Sequence, residues 1–331
     1  MDINSTISQI GNTPLIKLKQ ASEFTGCNIY GKAEYFNPGE SVKDRAALFI
    51  IQDALKRKLI SKGGTIVEGT AGNTGIGLAI VCKEYDLKLK IVIPRTQSIE
   101  KKETLRKLGA ELIEVDAVPY ANPKNYIKQS KEIARDLNKK DSNGVYWANQ
   151  FDNIINLEAH IQTTAEEIWA QTAGEVDGFT CAVGTGGTLA GVSIGLKKKN
   201  KNIKIALSDP MGSALFSHFK NNKLESSGNS ITEGIGNGRI TKNFDKALID
   251  DAFQTDDIEA LSLVYDLIEN QKIVLGGSSG INIAGAIKLA KQMGPGKTIV
   301  TILCDHGKRY ASKIFNKEFL KSKNLPIPKW L

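Results

Sequence analysis

The stretch TIVEGTAGNTGIGLAIVCKEY, residues 65–85, passes from a strand-like run through a glycine-rich turn into a helical pattern. Thr65 to Gly69 is short, apolar and bounded by small residues, as a buried strand would be. The turn EGTAGNTGIG (68–77) leads into apolar positions at helical spacing. Strand, turn and helix in that order form half of a parallel βαβ unit. Outward from it the alternation recurs: LKIVIP (89–94), AELIEVD (110–116), GFTCAV (178–183), IKIALSD (203–209) and TIVTILCD (298–305) read as strands. SIEKKETLRKLG (98–109) and TTAEEIWAQT (163–172) read as helices between them. The pattern predicts an α/β protein with parallel sheets covered by helices on both faces. VPYANPKNYIKQS (118–130) and the loop KKDSNG (139–144) interrupt it and place a domain boundary near 145–156. The tail FLKSKNLPIPKWL (319–331) is expected to pack as an extended arm, because its two prolines oppose a helix.

At 331 residues, 41% hydrophobic and 24% charged, the chain is large enough for two domains and reads as soluble and globular. The net charge of +8 is scattered, and its densest run, KKKNKN (197–202), follows a helical pattern. A solvated surface accounts for it better than a nucleic-acid face, which should cluster its charge. Cys27, Cys82, Cys181 and Cys304 lie far apart, with no CxxC pair and no nearby histidine that completes a zinc pattern, so no metal site is expected and reduced, buried thiols are. The start, MDINSTISQIGNTP, lacks a basic region followed by an apolar core. No apolar run reaches the ~18 residues of a membrane span, and a cytoplasmic protein is expected.

Three glycine-rich turns carry the chemistry. EGTAGNTGIG and VGTGGTLAG (183–191) each follow a strand and open a helix, where orphan backbone N–H groups and the helix dipole favour an anion. GTGGTLAG approaches the dinucleotide fingerprint, with Asp209 placed for a ribose, but Leu189 occupies the third glycine position. The loop from Gly184 to Thr188 suits a single phosphate better than a pyrophosphate. The third turn, LGGSSGINIAG (275–285), offers a serine pair that is either a helix cap or a neutral hydroxyl for a heterocyclic nitrogen. NPGESVKDR (37–45) precedes a helix whose apolar face is Ala46, Ala47, Ile50, Ile51 and Ala54. Lys43 stands in its first turn, where the dipole disfavours an ammonium; a neutral amine there is a nucleophile toward an aldehyde. Glu40 and Asp44 are each close enough in sequence to pair with that ammonium. His160, His218 and His306 stand alone and read as structural or surface residues.

Taken in order, NPGESVKDR, EGTAGNTGIG, NQFDN (149–153), GTGGTLAG, TEGIGNGRI (232–240), GGSSG (276–280) and CDHGKRY (304–310) resemble the pyridoxal-phosphate enzymes of the tryptophan synthase β-subunit fold class. Within it the chain is similar to the cysteine synthase (O-acetylserine sulfhydrylase) and cystathionine β-synthase family, from IGNTPL (10–15) to Tyr310. The resemblance implies two three-layer αβα domains with mostly parallel sheets. Residues 37–155 would form a smaller mobile domain, and residues 1–36 with 156–331 the larger one.

It implies pyridoxal 5′-phosphate as cofactor, held as an imine by Lys43, with Asn73 at its phenolic oxygen. Gly184, Thr185, Gly186, Gly187 and Thr188 would cradle the phosphate, and Ser278, rather than Ser279, would face the pyridine nitrogen. Thr70, Ala71, Gly72, Asn73 and Thr74, assisted by Gln150, would bind the substrate carboxylate. Gly234, Ile235, Gly236 and Asn237 would form the opposite wall. The implied reaction is β-replacement, O-acetyl-L-serine and sulfide giving L-cysteine through an aminoacrylate. O-phosphoserine as donor or homocysteine as nucleophile is the nearest alternative. The implied partners are the amino-acid substrate, sulfide, a second copy of the chain, and a serine acetyltransferase whose C-terminal tail could enter the site. Four departures stand out: Ala71 where the family has serine, an acid at Glu40, DHGKRY for DSGERY, and an insertion around 117–125. From other classes, an NAD-dependent dehydrogenase would explain the glycine turns but not Lys43 or GGSSG. A non-catalytic, partner-binding regulator would keep the fold alone.

Overall fold

The computed structural model describes residues 5–331, so the first four residues of the stretch read for a leader lie outside the described residues. The chain begins with β1 (Leu15–Lys17), α1 (Lys19–Thr25), β2 (Asn28–Ala33) and α2 (Lys43–Lys56). Alternation then runs through β3 (Thr65–Gly69), α3 (Asn73–Glu84), β4 (Lys88–Pro94), α4 (Ile99–Lys107), β5 (Glu111–Val115), α5 (Tyr126–Asn138) and β6 (Val145–Trp147). After the short α6 (Ile155–Ala159) and a π-turn come α7 (Ala165–Gln171), β7 (Gly178–Cys181), α8 (Gly187–Lys199), β8 (Lys204–Pro210) and α9 (Leu215–Asn221). The chain closes with β9 (Asp251–Thr255), α10 (Asp257–Gln271), α11 (Gly277–Met293), β10 (Thr298–Leu303) and α12 (Lys317–Ser322).

The strands form two sheets. One has the order β5-β4-β3-β6 and is wholly parallel; the other runs β1-β2-β10-β7-β8-β9 and is parallel except for the β1–β2 pair. All strands of the smaller sheet fall between residues 37 and 155, and those of the larger come from either side. The predicted face of α2 is inside: Ala46, Ala47, Ile50, Ile51 and Ala54 are all buried, packed with Ile76 and Leu78 of α3 over Ile66 and Ile91. One face of the larger sheet packs Phe179, Ile205 and Val300 against Leu189 and Leu196 of α8. Its other face sets Ile29, Ile299 and Leu303 against Ile283 and Leu289 of α11.

A buried charge cluster pins the start of α2. Arg45 Nε lies 2.7 Å from Glu34 Oε2, Arg45 Nη1 2.6 Å from Glu167 Oε1, and Lys32 Nζ 2.6 Å from Glu167 Oε2. β2, α2 and α7 are thereby tied at the point where Lys43 leaves the backbone. Burial pushes the Glu34 carboxyl up, but the Arg45 guanidinium and the Thr13 hydroxyl outweigh it and hold it at about 2.

The tail departs from expectation. Asn316 accepts a hydrogen bond from Phe319 N at 2.9 Å and caps α12, and Leu320 is buried. Pro326 and Pro328 lie beyond that helix, so they do not oppose it. Among the described residues no helix is long and apolar enough to cross a membrane.

Candidate active site

The loops that follow β3, β7 and β10 converge at the strands' carboxyl ends, where open parallel sheets place their ligands. Between them lies a cavity of about 910 Å³. It is lined by Lys43, by all of Thr70 to Thr74, by Gln150, Gly184 and Thr185, by Gly234 to Asn237 and by Ser278. A recess of about 20 Å³, sharing Lys43, Gly184 and Thr185, reaches Gly186 and Thr188. Gly187 lines neither space; it is buried at the start of α8, where an added Cβ would meet Asn156 Oδ1 at 2.1 Å.

Lys43 is the first residue of α2 and is partly buried. Among the described residues its ammonium has no ion-pair or hydrogen-bond partner, although two carboxylates flank it in sequence. Glu40 turns away to Lys308, and Arg309 Nη2 lies 3.7 Å from its other oxygen. Asp44 is buried and accepts the N–H of Gly39. Its burial pushes the carboxyl up to about 7. Lys308 is itself one of the departures in DHGKRY, so two unusual residues 268 positions apart answer each other.

At the N-terminus of α8, the N–H groups of Thr185, Gly186, Thr188 and Leu189 have no partner among the described residues. No acidic side chain lines the recess that Thr185, Gly186 and Thr188 share with Lys43. Gly186 has φ +87°, and a Cβ there would come 2.6 Å from Phe244 N, so only glycine fits. Asn156 Nδ2 donates to Thr185 Oγ1 at 2.9 Å. His160 Nε2 lies 3.2 Å from Thr188 Oγ1, while Nδ1 lies 2.9 Å from Thr164 Oγ1. Burial and the Arg45 charge push His160 down to about 3, so its ring is neutral. This cradle of orphan donors, glycines and hydroxyls fits a phosphate dianion. His160, read from sequence as a structural or surface residue, orients one of its hydroxyls.

The 70–74 loop is held from below. Gly72 has φ +131°, and its N–H donates to Thr70 Oγ1 at 3.1 Å. Thr74 donates to Gln150 Oε1, and Gln150 Nε2 donates to Gly69 O at 3.2 Å, so Gln150, itself on the cavity wall, holds Thr74 in place. Asn73 Nδ2 donates to Asp305 Oδ2 at 2.6 Å, and Arg309 Nη1 donates to Asn73 Oδ1 at 2.8 Å. Tyr310 donates to the same Asp305 oxygen at 2.6 Å. The late motif therefore orients Asn73, a function its sequence did not disclose. Across the cavity, Gly236 N donates to Val183 O at 2.9 Å and the Asn237 amide to Gly184 O, laying the 234–237 wall on the glycine loop.

The serine pair divides. Ser279 Oγ accepts Cys304 N at 2.9 Å, whereas Ser278 lines the cavity. Cys304 lines it too, and burial together with Asp305 pushes its thiol up to about 11. The inserted segment contributes Tyr120, whose ring centroid lies 4.4 Å from the Arg239 guanidinium at the rim. Asp209, the residue a dinucleotide would need, is buried and accepts Phe216 N at 2.8 Å, capping α9.

An unpaired lysine amine beside an anion cradle, with a polar loop and a serine hydroxyl on the same cavity, is the arrangement that a phosphate-bearing aldehyde requires. Residues 7–305 match the family model described as pyridoxal-phosphate dependent enzyme, and the chain belongs to that family. It is 51% identical to cysteine synthase 1 of Neurospora crassa over 96% of this chain and 84% of that protein. To cysteine synthase 1 of Emericella nidulans it is 49% identical over 99% of this chain and 90% of the relative. Among solved structures, the O-acetylserine dependent cystathionine beta-synthase from Helicobacter pylori superposes with a TM-score of 0.85 at 34% identity, covering 95% of this chain and 98% of that one.

Proposed function

We propose that this chain exchanges the acetoxy group of O-acetyl-L-serine for sulfide, releasing L-cysteine and acetate. The observation that carries the reading is Lys43, unpaired among the described residues, on a cavity and recess that also hold the 70–74 loop and the residues of the orphan amides of Thr185, Gly186 and Thr188. Pyridoxal phosphate, when bound, supplies an electron-poor conjugated ring that delocalises the electron pair left at Cα when its proton departs. Lys43 Nζ would hold the cofactor through its aldehyde carbon and would serve as the base for the substrate's Cα proton. The loop Gly184–Thr188 binds the phosphate, with Thr185 and Thr188 oriented by Asn156 and His160. Ser278 would offer a neutral hydroxyl to the cofactor's ring nitrogen, and Asn73, fixed by Asp305 and Arg309, would offer its amide to the phenolic oxygen. Thr70 to Thr74 bind the substrate carboxylate with N–H groups at the start of α3, and Gly234 to Asn237 close the other side against water.

Segment 37–155 is the body that moves in this reading. A homodimer is supported by an apolar groove of about 610 Å³ beside α1, α10 and α11, with Phe24 68% exposed. Lys323, exposed at the lining of the main cavity, suits the terminal carboxylate of a serine acetyltransferase tail. Four free thiols support a reducing, cytoplasmic setting. Homocysteine as nucleophile is the second reading, favoured by the likeness to the Helicobacter pylori structure. Turnover of O-acetylserine, O-phosphoserine and serine against sulfide and homocysteine decides: cysteine formation fastest from O-acetylserine and sulfide is expected, and no sulfide-dependent cysteine would overturn the proposal.

A further inference from the structure

Gln97, Lys101, Glu233 and Lys313 form a polar strut across the cavity that none of these roles uses. Lys101 Nζ lies 2.6 Å from Glu233 Oε2, with the two side chains 2% and 7% exposed, and Lys313 meets the other carboxylate oxygen. The Lys101 stem runs beneath the carboxylate loop: a Cβ added to Gly72 would lie 2.6 Å from Lys101 Cδ. Its ammonium stands 4.4 Å from the Tyr310 ring centroid. In the orientation that gives its acceptors a donor, the Gln97 amide nitrogen donates to Ala71 O at 3.0 Å and to Glu233 Oε2 at 3.1 Å. Glu233 is therefore joined to the 70–74 loop twice, once through Gln97 and once through Lys101.

Glu233 also sits at the free part of the opposite wall. Ile231 N is tied to Asp257 at 2.8 Å, and Gly236 N to Val183 O at 2.9 Å. Between those anchors, Glu233 supplies the side-chain bonds to the 70–101 segment among the described residues. Burying a lysine and a glutamate costs desolvation that a pair of apolar residues would avoid, so stability alone is a poor reason for the pair. We propose that Glu233, acting through Lys101 and Gln97, couples the carboxylate loop to the 234–237 wall, so that the loop's grip on a substrate carboxylate sets the wall's position. Glu233, Lys101 and Gln97 are positioning residues in this scheme. The inference rests on the O-acetylserine reading above for its kinetic arm only.

The test uses the holoenzyme and two variants, Glu233→Gln and Lys101→Met. Hydrogen exchange is followed at 70–74 and 232–237 with and without L-alanine, which has the carboxylate and amine but no β-leaving group. In the unaltered enzyme L-alanine should slow exchange in both segments; in either variant it should slow 70–74 alone. Steady-state KM for O-acetylserine should rise about tenfold in the variants, the size of a typical coupling between sites. KM for sulfide and the cofactor absorbance should stay unchanged. The double exchange Lys101→Glu with Glu233→Lys should restore part of the lost coupling. Equal protection of both segments in the variants, or none at 232–237 in the unaltered enzyme, overturns the strut. An unaltered enzyme that shows coupled exchange but no O-acetylserine turnover sinks the functional reading while supporting the strut.

Discussion

Glu68 offers a stability prediction whose size can be worked out. It sits on β3 below the carboxylate loop, fully buried, with Gln150 N donating to Oε2 at 3.3 Å and no partner on Oε1. Burial pushes its carboxyl from 4.5 up to about 8, despite the hydrogen bonds it accepts. The unfolded chain releases this proton near 4.5 while the folded protein keeps it, so folding loses stability as pH rises between those values. At about 1.4 kcal/mol per pH unit, the loss between pH 5 and pH 8 is on the order of 4 kcal/mol. Glu68→Gln cannot ionise, and any packing cost of its amide is the same at every pH. Relative to the unaltered protein, the variant should gain those ~4 kcal/mol across that interval. With an unfolding entropy of about 0.7 kcal/mol/K for 331 residues, that is roughly 6 °C in Tm. Scanning calorimetry of both proteins with saturating cofactor at pH 5, 6, 7 and 8 reads it directly. A Tm difference that stays constant across the series would refute the assignment of Glu68 as a buried neutral acid.

Two further substitutions probe the charges around Lys43. Arg45→Met strands Glu34 and Glu167 without their guanidinium and should cost about 3–5 kcal/mol, measured as a fall in Tm at pH 7. The unaltered protein should lose the Glu34 contribution as pH falls from about 4.5 towards 2, and the variant's profile should be flatter there. Glu40→Gln breaks a pair whose partners are 31% and 62% exposed and should change stability by less than about 1 kcal/mol. Its turnover should match the unaltered enzyme; a large loss would show that the acid acts on Lys43.

Much of the fold was legible because β3, β4, β7, β8 and β10 are largely buried apolar runs with glycine, proline or charge at their ends, and the mostly unburied β5 still carries Leu112, Ile113 and Val115. β1 and β6 escaped notice because they have three residues each and none is buried. β9 buries only Ala252 and Thr255 and carries no continuous apolar run, and α12 was hidden by prolines that lie after it. Of the candidate site, the local parts could be read: a lysine at a helix start and three glycine turns. The parts that depend on distant packing could not. Asn156 and His160 reach the glycine loop from 29 and 28 positions away, and Asp305 and Arg309 reach Asn73 from more than 230. Glu40 looked anomalous only because Lys308, its partner, could not be seen beside it.

Lys43 carries the central claim, and borohydride reduction of the yellow holoenzyme followed by peptide mass analysis tests it most directly. Reduction should bleach the cofactor band and leave the pyridoxyl phosphate mass on the peptide containing Lys43, while Lys43→Ala gains no adduct and makes no cysteine. An adduct on any other lysine, or a Lys43→Ala protein that still converts O-acetylserine and sulfide to cysteine, would contradict it.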